Sequence, residues 1–315
     1  MKFFSGVQQI GIGVTDAEEA FKWYSQQLNF GLRLFDDVAQ ASLMAKFTGG
    51  NAEERRAILS LHPHGGGGLE IWQFLNRSPR KSPPIVPGST GILGAVIGSC
   101  PTHILKHNIL WEGSLGLNDL YGNVFLAGSD LENGKCGIRG AAIGVSNKEK
   151  SEQFYCDILG FKKVREEEVL WQNQVGTVSY LQLEVKQALF SHLLGNMELR
   201  LVHFPSAIHE QLFTGRFWGD CGFIHLCLET PNMGSFKNWC KQHNLEFAVD
   251  SEASFGMSDS SGRFGYIQDP DGTLIELVET HKIPLSKKLN WYLDLAKYKE
   301  KPLEKWKLKL FNWFN

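Results

Sequence analysis

"DPDGTLIELVET", residues 269–280, reads as a tight turn feeding a strand. Asp269, Pro270, Asp271 and Gly272 make the turn. Leu274, Ile275, Leu277 and Val278 make a run that calls for burial, with the carboxylate of Glu276 in its middle. A buried acid is costly unless something compensates its charge, so the stretch asks what Glu276 faces. The form recurs upstream: "DLYGNVFLAG" (119–128) is again a turn followed by a strand.

A second repeat lies in front of each such turn. "IGIGVTDAEEAFKWYSQQLNFGLRL" (10–34) and "AAIGVSNKEKSEQFYCDILGFKKVR" (141–165) share their spacing. Val14 to Tyr24 and Val145 to Tyr155 are both ten residues; Tyr24 to Phe30 and Tyr155 to Phe161 are both six. Each copy predicts an apolar strand, a Thr-Asp or Ser-Asn helix-capping pair, an amphipathic helix and a second strand. "FIHLCLETPNMGSFKNWCKQHNLEFAV" (223–249) follows the same plan, and "ILGAVIGSCP" (92–101) reads as another opening strand.

Four units result, over about 5–76, 90–128, 137–204 and 221–280, each β-α-β-β-β with the second shortened. They group as a first half, 1–130, and a second half, 131–282, followed by a tail, 283–315, that reads as helical. "RSPRKSPPIVPGST" (77–90) separates the first two units, as its prolines suggest.

Bulk properties narrow the class. Hydrophobic content of 43% and charged content of 21% are those of a soluble globular protein. A net charge of −2 gives no surface for nucleic acid. No run is apolar for long enough to span a membrane, and the opening "MKFFSGVQQIGIGV" lacks a secretory core. The cysteines (100, 136, 156, 221, 227, 240) form no C-x-x-C pair, which suits reduced thiols and a cytoplasmic location. "HPHGGGG" (62–68) lacks the Lys-Ser/Thr of a phosphate loop and reads as a hairpin turn with exposed histidines.

The two repeats together resemble the vicinal oxygen chelate superfamily: glyoxalase I, extradiol dioxygenases and bleomycin-resistance proteins. The resemblance covers about 5–280. It implies an α+β fold in which four βαβββ modules form two cup-shaped mixed β-sheets with helices outside. It also implies that metal ligands point into a cup from the first and last strands of each unit. By position these are Gln9 and Glu70 in unit one, Leu93 and Leu126 in unit two, Gly140 and Glu198 in unit three, and His225 and Glu276 in unit four.

Two pairings of units are open. If neighbours pair, the ligands are Glu198, His225 and Glu276. If the outer units pair, as in fused forms of glyoxalase I, one cup gathers Gln9, Glu70, His225 and Glu276, while the other keeps Leu93, Leu126, Gly140 and Glu198. The outer pairing is favoured because it collects every nitrogen and oxygen ligand in one place. That set suits a divalent ion such as Zn, Ni, Mn or Fe. By resemblance to glyoxalase I, Glu276 is the candidate base with Glu70 opposite, and the activity implied is a metal-dependent lyase or isomerase. Its substrate would be a small molecule with vicinal oxygens, reacting through enediolate chemistry.

An extradiol dioxygenase wants two histidines and a carboxylate, and Gly140 stands where the first histidine belongs. A metal-free binding protein of the bleomycin-resistance type has no need of buried acids. Glu276 could also face solvent at an open mouth, Gln9 has Gln8 beside it, and a single buried histidine is often only a core residue. A four-unit chain can hold within itself what a two-unit relative achieves by dimerising, and a homodimer is also compatible with it. The Lys- and Trp-rich tail reads as packing on the body or on a second subunit.

Overall fold

The computed structural model describes residues 3–98, 104–128, 134–185, 191–252, 255–257, 260–286 and 291–294. Unit one comprises β1 (Gly6–Gly13), α1 (Ala17–Leu28), β2 (Leu32–Gln40), β3 (Glu54–Leu61) and β4 (Gly68–Phe74). Unit two comprises β5 (Ser89–Ile97), β6 (Lys106–His107), β7 (Leu115–Asn118) and β8 (Val124–Ala127). It is the abbreviated one: its last three strands are two to four residues long, and its described residues carry no α-helix. Unit three comprises β9 (Ile138–Gly144), α2 (Lys148–Gln153), β10 (Lys162–Trp171), β11 (Gln174–Leu183), the short α3 (Ser191–Leu194) and β12 (Met197–His203). β13 (Glu210–Gln211) lies in the connection to unit four. Unit four comprises β14 (Gly222–Glu229), α4 (Met233–Gln242), β15 (Val249–Asp250), β16 (Phe255–Met257), β17 (Ser260–Gln268) and β18 (Leu274–Ser286); β19 (Trp291–Asp294) follows it.

Two curled mixed sheets result. The first runs β15-β17-β18-β14-β1-β4-β3-β2, with β16 on β17 and β19 on β18. The second runs β10-β11-β12-β9-β5-β8-β7-β6, with β13 on β5. Units one and four therefore share a sheet, and units two and three share the other. Each sheet has the same centre: an antiparallel pair of opening strands (β1–β14, β5–β9) flanked by parallel closing strands (β4 and β18, β8 and β12). The outer pairing holds.

The repeated spacings have physical causes. Asp16 and Asn147 cap their helices, accepting hydrogen bonds from the backbone N–H groups of Glu18 and Glu19, and of Lys150. Past the last turn, Asn29 (φ 59°) and Gly160 (φ 83°) adopt left-handed conformations. The next N–H then bonds back six residues, Phe30 to the Tyr24 carbonyl at 3.1 Å and Phe161 to the Tyr155 carbonyl at 3.0 Å. This closure around a left-handed residue, one residue wider than the Schellman motif, is why tyrosine and phenylalanine stand six apart. In the third unit α2 widens into a π-helical turn over Phe154–Ile158 before it ends.

The strands are buried on both faces. Ile10, Ile12, Leu69, Ile71, Ile275 and Leu277 join the main core with the helices. Their neighbours in sequence turn into the first cup, where Trp72, Trp218, Ile224, Tyr266 and Phe35 pack together. This alternation is the pleat of a strand. The second cup is filled by Leu93, Leu126, Val96, Trp111, Trp171, Val178 and others.

Two expectations need correction. The hairpin turn at 62–68 is present, but His62 is buried with its ring edge-on to Phe30, centroids 5.5 Å apart; His64 is exposed. Its glycines bring the sheets together: Gly67 and Ile138 exchange backbone hydrogen bonds of 2.7 and 2.8 Å, and a Cβ on Gly66 would strike the Gly137 backbone at 2.8 Å. The tail expected to be helical from 283 starts as strand. β18 runs to Ser286, and Trp291–Asp294 pairs with it antiparallel, since an exposed sheet edge offers backbone partners to any extended segment. The rest of the tail, 295–315, lies outside the described residues. No helix among the described residues is long and apolar enough to cross a membrane.

Candidate metal centre

Four adjacent strands, β18-β14-β1-β4, carry Glu276, His225, Gln9 and Glu70. In register, Gly11 stands opposite both Glu70 and His225, and Cys227 stands opposite both Gln9 and Glu276. A register shift in the β1–β14 pair between Gly11 and Ile12 leaves Ile224 without a partner. That bulge lets both Ile224 and His225 face the cup. Gly11 has no side chain because the imidazole lies over it: a Cβ there would sit 2.5 Å from His225 Cε1.

The functional atoms converge. His225 Nε2 lies 3.0 Å from Glu276 Oε2 and 3.4 Å from Glu70 Oε2. The Gln9 side-chain amide donates to Glu276 Oε2 at 3.4 Å. One ligand atom each from Glu70, His225 and Glu276 lies within 4.8 Å of the others, and all three residues are buried. Glu70 Oε2 and His225 Nε2 are nonetheless without a hydrogen-bonding partner. Their short approach is thus one of proximity without donor alignment: the atoms aim at a common point between them. On its far side His225 Nδ1 meets the Tyr266 hydroxyl at 3.4 Å, and the Trp218 indole stacks on the ring, 6.4 Å between centroids. These two neighbours fix the ring's orientation.

Electrostatics follow from burial and charge. Burial works against a proton on His225, but Glu276 and Glu70 overcome it and raise the imidazole to about 9. Burial pushes Glu276 up, and His225 outweighs it to hold the carboxyl below its ordinary value. Burial and Glu276 push the Cys227 thiol well up, so it stays protonated; the Tyr266 phenol, raised by burial and both carboxylates, does too. Two carboxylates facing one imidazole attract a positive charge, and in the metal-free protein a proton on His225 supplies it.

The other cup is different in kind. Glu198 is buried, accepts a hydrogen bond from Arg200 Nε at 2.9 Å and lies 2.8 Å from an Arg200 Nη in an ion pair, while that Nη donates to the Ala127 carbonyl at 2.6 Å. Gly140 stands opposite Glu198 in register, and Leu93 and Leu126 belong to the apolar filling. All four lie on strands of the second sheet, whereas His225 lies on the first.

Beside the first cup lies a cavity of about 360 Å³, bordered by Trp218, Ile224 and Leu274 on the cup side and by Lys46, Arg216 and Gln211 on others. Tyr266 and Trp218 are parts of the site that sequence reading passed over. Tyr266 had a signal, since it alternates with Phe264 on a strand facing Glu276; Trp218 lies in the connection between units, where no repeat marks it.

Two cup-shaped mixed sheets are the fold that the resemblance to the vicinal oxygen chelate superfamily implied. Residues 137–277 match the family model Glyoxalase/Bleomycin resistance protein/Dioxygenase superfamily. Glyoxalase I from Zea mays is similar in fold, with a TM-score of 0.55 at 12% identity, covering 87% of this chain and 92% of that one. A mutant of the same enzyme gives 0.57 at 13%, covering 87% and 92%. A putative dioxygenase from Bacillus subtilis gives 0.55 at 13%, covering 88% of this chain and 86% of that one. No curated protein matches.

Proposed function

We propose that this protein is a divalent-metal-dependent enzyme of the lyase or isomerase type, acting on a small substrate with adjacent oxygens. Gln9, Glu70, His225 and Glu276 are its metal ligands. The observation that carries the reading is the pair of buried, unpartnered atoms, Glu70 Oε2 and His225 Nε2, that face Glu276 across a gap. Unpartnered buried polar atoms cost stability, and a shared cation relieves them together.

The donor set fits zinc, nickel, manganese or iron: one imidazole, two carboxylates and an amide oxygen. Such an ion supplies a Lewis acid that polarises a substrate oxygen. The chain's own part is to hold and move a proton. Glu276 has one oxygen within reach of both Gln9 and His225, so it is tethered yet able to turn toward a carbon acid at the cup's centre. Glu70 faces it from the opposite strand. Trp72, Trp218 and Ile224 keep bulk water from the carboxylates, and the adjoining cavity has room for a small molecule.

For the dioxygenase reading, the described residues group one histidine, His225, with Glu70 and Glu276, and so lack its facial triad. A metal-free sequestering protein leaves the paired acids unexplained. Elemental analysis of the purified protein, followed by a screen over 2-oxoaldehyde adducts and related vicinal-oxygen compounds, is the test. Metal bound in wild type and lost in His225→Ala supports the reading. A protein that binds no divalent metal, or whose metal content ignores changes at both His225 and Glu276, leaves the sequestering cup instead.

A further inference from the structure

A second cluster of ligating side chains lies away from the cup, where the β3–β4 hairpin of the first sheet meets the start of β9 in the second. His62, His64 and Cys136 each offer one ligand atom there, and these atoms lie within 4.8 Å of one another. Cys136 Sγ is 3.9 Å from His64 Nδ1. Tetrahedral zinc, with bonds of about 2.3 Å to sulfur and 2.0–2.1 Å to nitrogen, places such atoms roughly 3.5 Å apart. A small contraction makes the fit. The backbone is already pinned on both sides: Gly67 and Ile138 exchange hydrogen bonds, and the Gly137 N–H donates to the Gly65 carbonyl at 2.8 Å.

We infer that His62, His64 and Cys136 form a second metal site, bridging the two sheets and taking a thiophilic divalent ion such as zinc. The cup offers mainly oxygen, and this cluster offers two imidazoles and a thiol, so the two sites differ in the metals they prefer. His62 is the buried member of the cluster. Its Nδ1 accepts the His64 backbone N–H at 3.1 Å. His64 is exposed and Cys136 half-buried, so the ion has an entry path and water can complete its shell.

Cobalt distinguishes the two sites, because only a thiolate ligand gives an intense sulfur-to-metal charge-transfer band in the near ultraviolet. Metal-stripped full-length protein is titrated with Co²⁺ and followed by that band and by metal stoichiometry. The expected result is a band that saturates at one equivalent and persists in Glu276→Gln. It disappears in Cys136→Ser, together with one equivalent of bound cobalt, and weakens at least tenfold in apparent affinity in His64→Ala. Both replaced side chains lie at the surface of the junction, and unchanged melting of the metal-free variants confirms that they fold. Absence of the band from wild type overturns the proposal. So does a band that survives Cys136→Ser and is lost in Cys227→Ser, which would place the thiolate in the cup.

Discussion

Glu276 and His225 answer for each other's charge. A buried imidazole raised to about 9 by two carboxylates has a direct consequence for the metal-free protein. An unfolded histidine titrates near 6.5, so the folded state holds this proton more tightly. The resulting stability is complete below about pH 6.5 and is lost as pH rises through about 9. Metal-stripped protein should therefore lose roughly 3 kcal/mol between those limits, and Glu276→Gln should lose much less over the same range. Thermal denaturation across pH 6 to 9.5 checks this; parallel profiles for the two proteins would contradict it. Metal and proton compete for the same nitrogen, so apparent metal affinity should climb over that window. With metal present, Glu276→Gln should lower both metal content and turnover, the latter by about a hundredfold to ten-thousandfold if Glu276 is the base. Glu198→Gln gives the contrast. It leaves the Arg200 guanidinium buried without its anion, so stability should fall by about 3–5 kcal/mol while metal content, measured by elemental analysis, stays at the wild-type level.

Elements decide whether those side chains can meet. β1 lies between β4 and β14, and Gly11 is opposite a carboxylate on one side and the imidazole on the other. Its backbone is ordinary strand, so an alanine strains nothing in the chain, but its methyl would occupy the ring's place, 2.5 Å from His225 Cε1. Gly11→Ala should fold with modest loss of stability and bind metal at least tenfold more weakly, by analogy with the loss of a residue that orients a ligand. Titration with Zn²⁺ measures it, and unchanged affinity would show that the imidazole can move aside without cost. The elements themselves were readable from the chain, for local reasons. Capping by Asp16 and Asn147 and the six-residue tyrosine-to-phenylalanine closure are events within a single helix, and they leave a fixed spacing in sequence. The Asp119 and Asp269 turns are equally local: each aspartate accepts N–H groups two and four residues ahead, at 2.8 and 2.8 Å for Asp119 and 3.0 and 2.7 Å for Asp269, and each turn holds a glycine at φ 83°. His62 went astray for the complementary reason. Its burial depends on Phe30 and on the second sheet, neither of which the hairpin's own residues announce.

At the scale of the molecule, the open question was which units share a sheet. Local sequence is silent there, because β1 pairs with β14 across more than two hundred residues and would look the same beside another partner. Only the chemistry of the ligand positions, concentrated in units one and four, pointed to the answer. The structure adds a second device that joins the sheets. Tyr24, on the helix of unit one, donates to Asp119 in the turn of unit two at 2.5 Å, and Tyr155, on the helical segment of unit three, donates to Asp269 in the turn of unit four at 2.9 Å. Each link ties a helix of one sheet to a turn of the other, so the two repeated motifs of the chain are the halves of one contact. Burial raises Asp269 to about 6, against the hydrogen bonds from Thr273 and the Tyr155 hydroxyl that lower it. A raised carboxyl loses stability as pH climbs from about 4 through that value. In Tyr155→Phe the hydroxyl's help is gone and the carboxyl rises further, so the variant's deficit should grow with pH. Near pH 4 it should amount to about 1 kcal/mol, the worth of one hydrogen bond to a neutral group, and by pH 8 to about 2–3 kcal/mol, as for a bond to a charged one. Urea denaturation at both pH values measures the two deficits. If they are equal, the Tyr155 hydroxyl does not serve the ionised carboxylate, and the sheets are held at that junction by apolar packing alone.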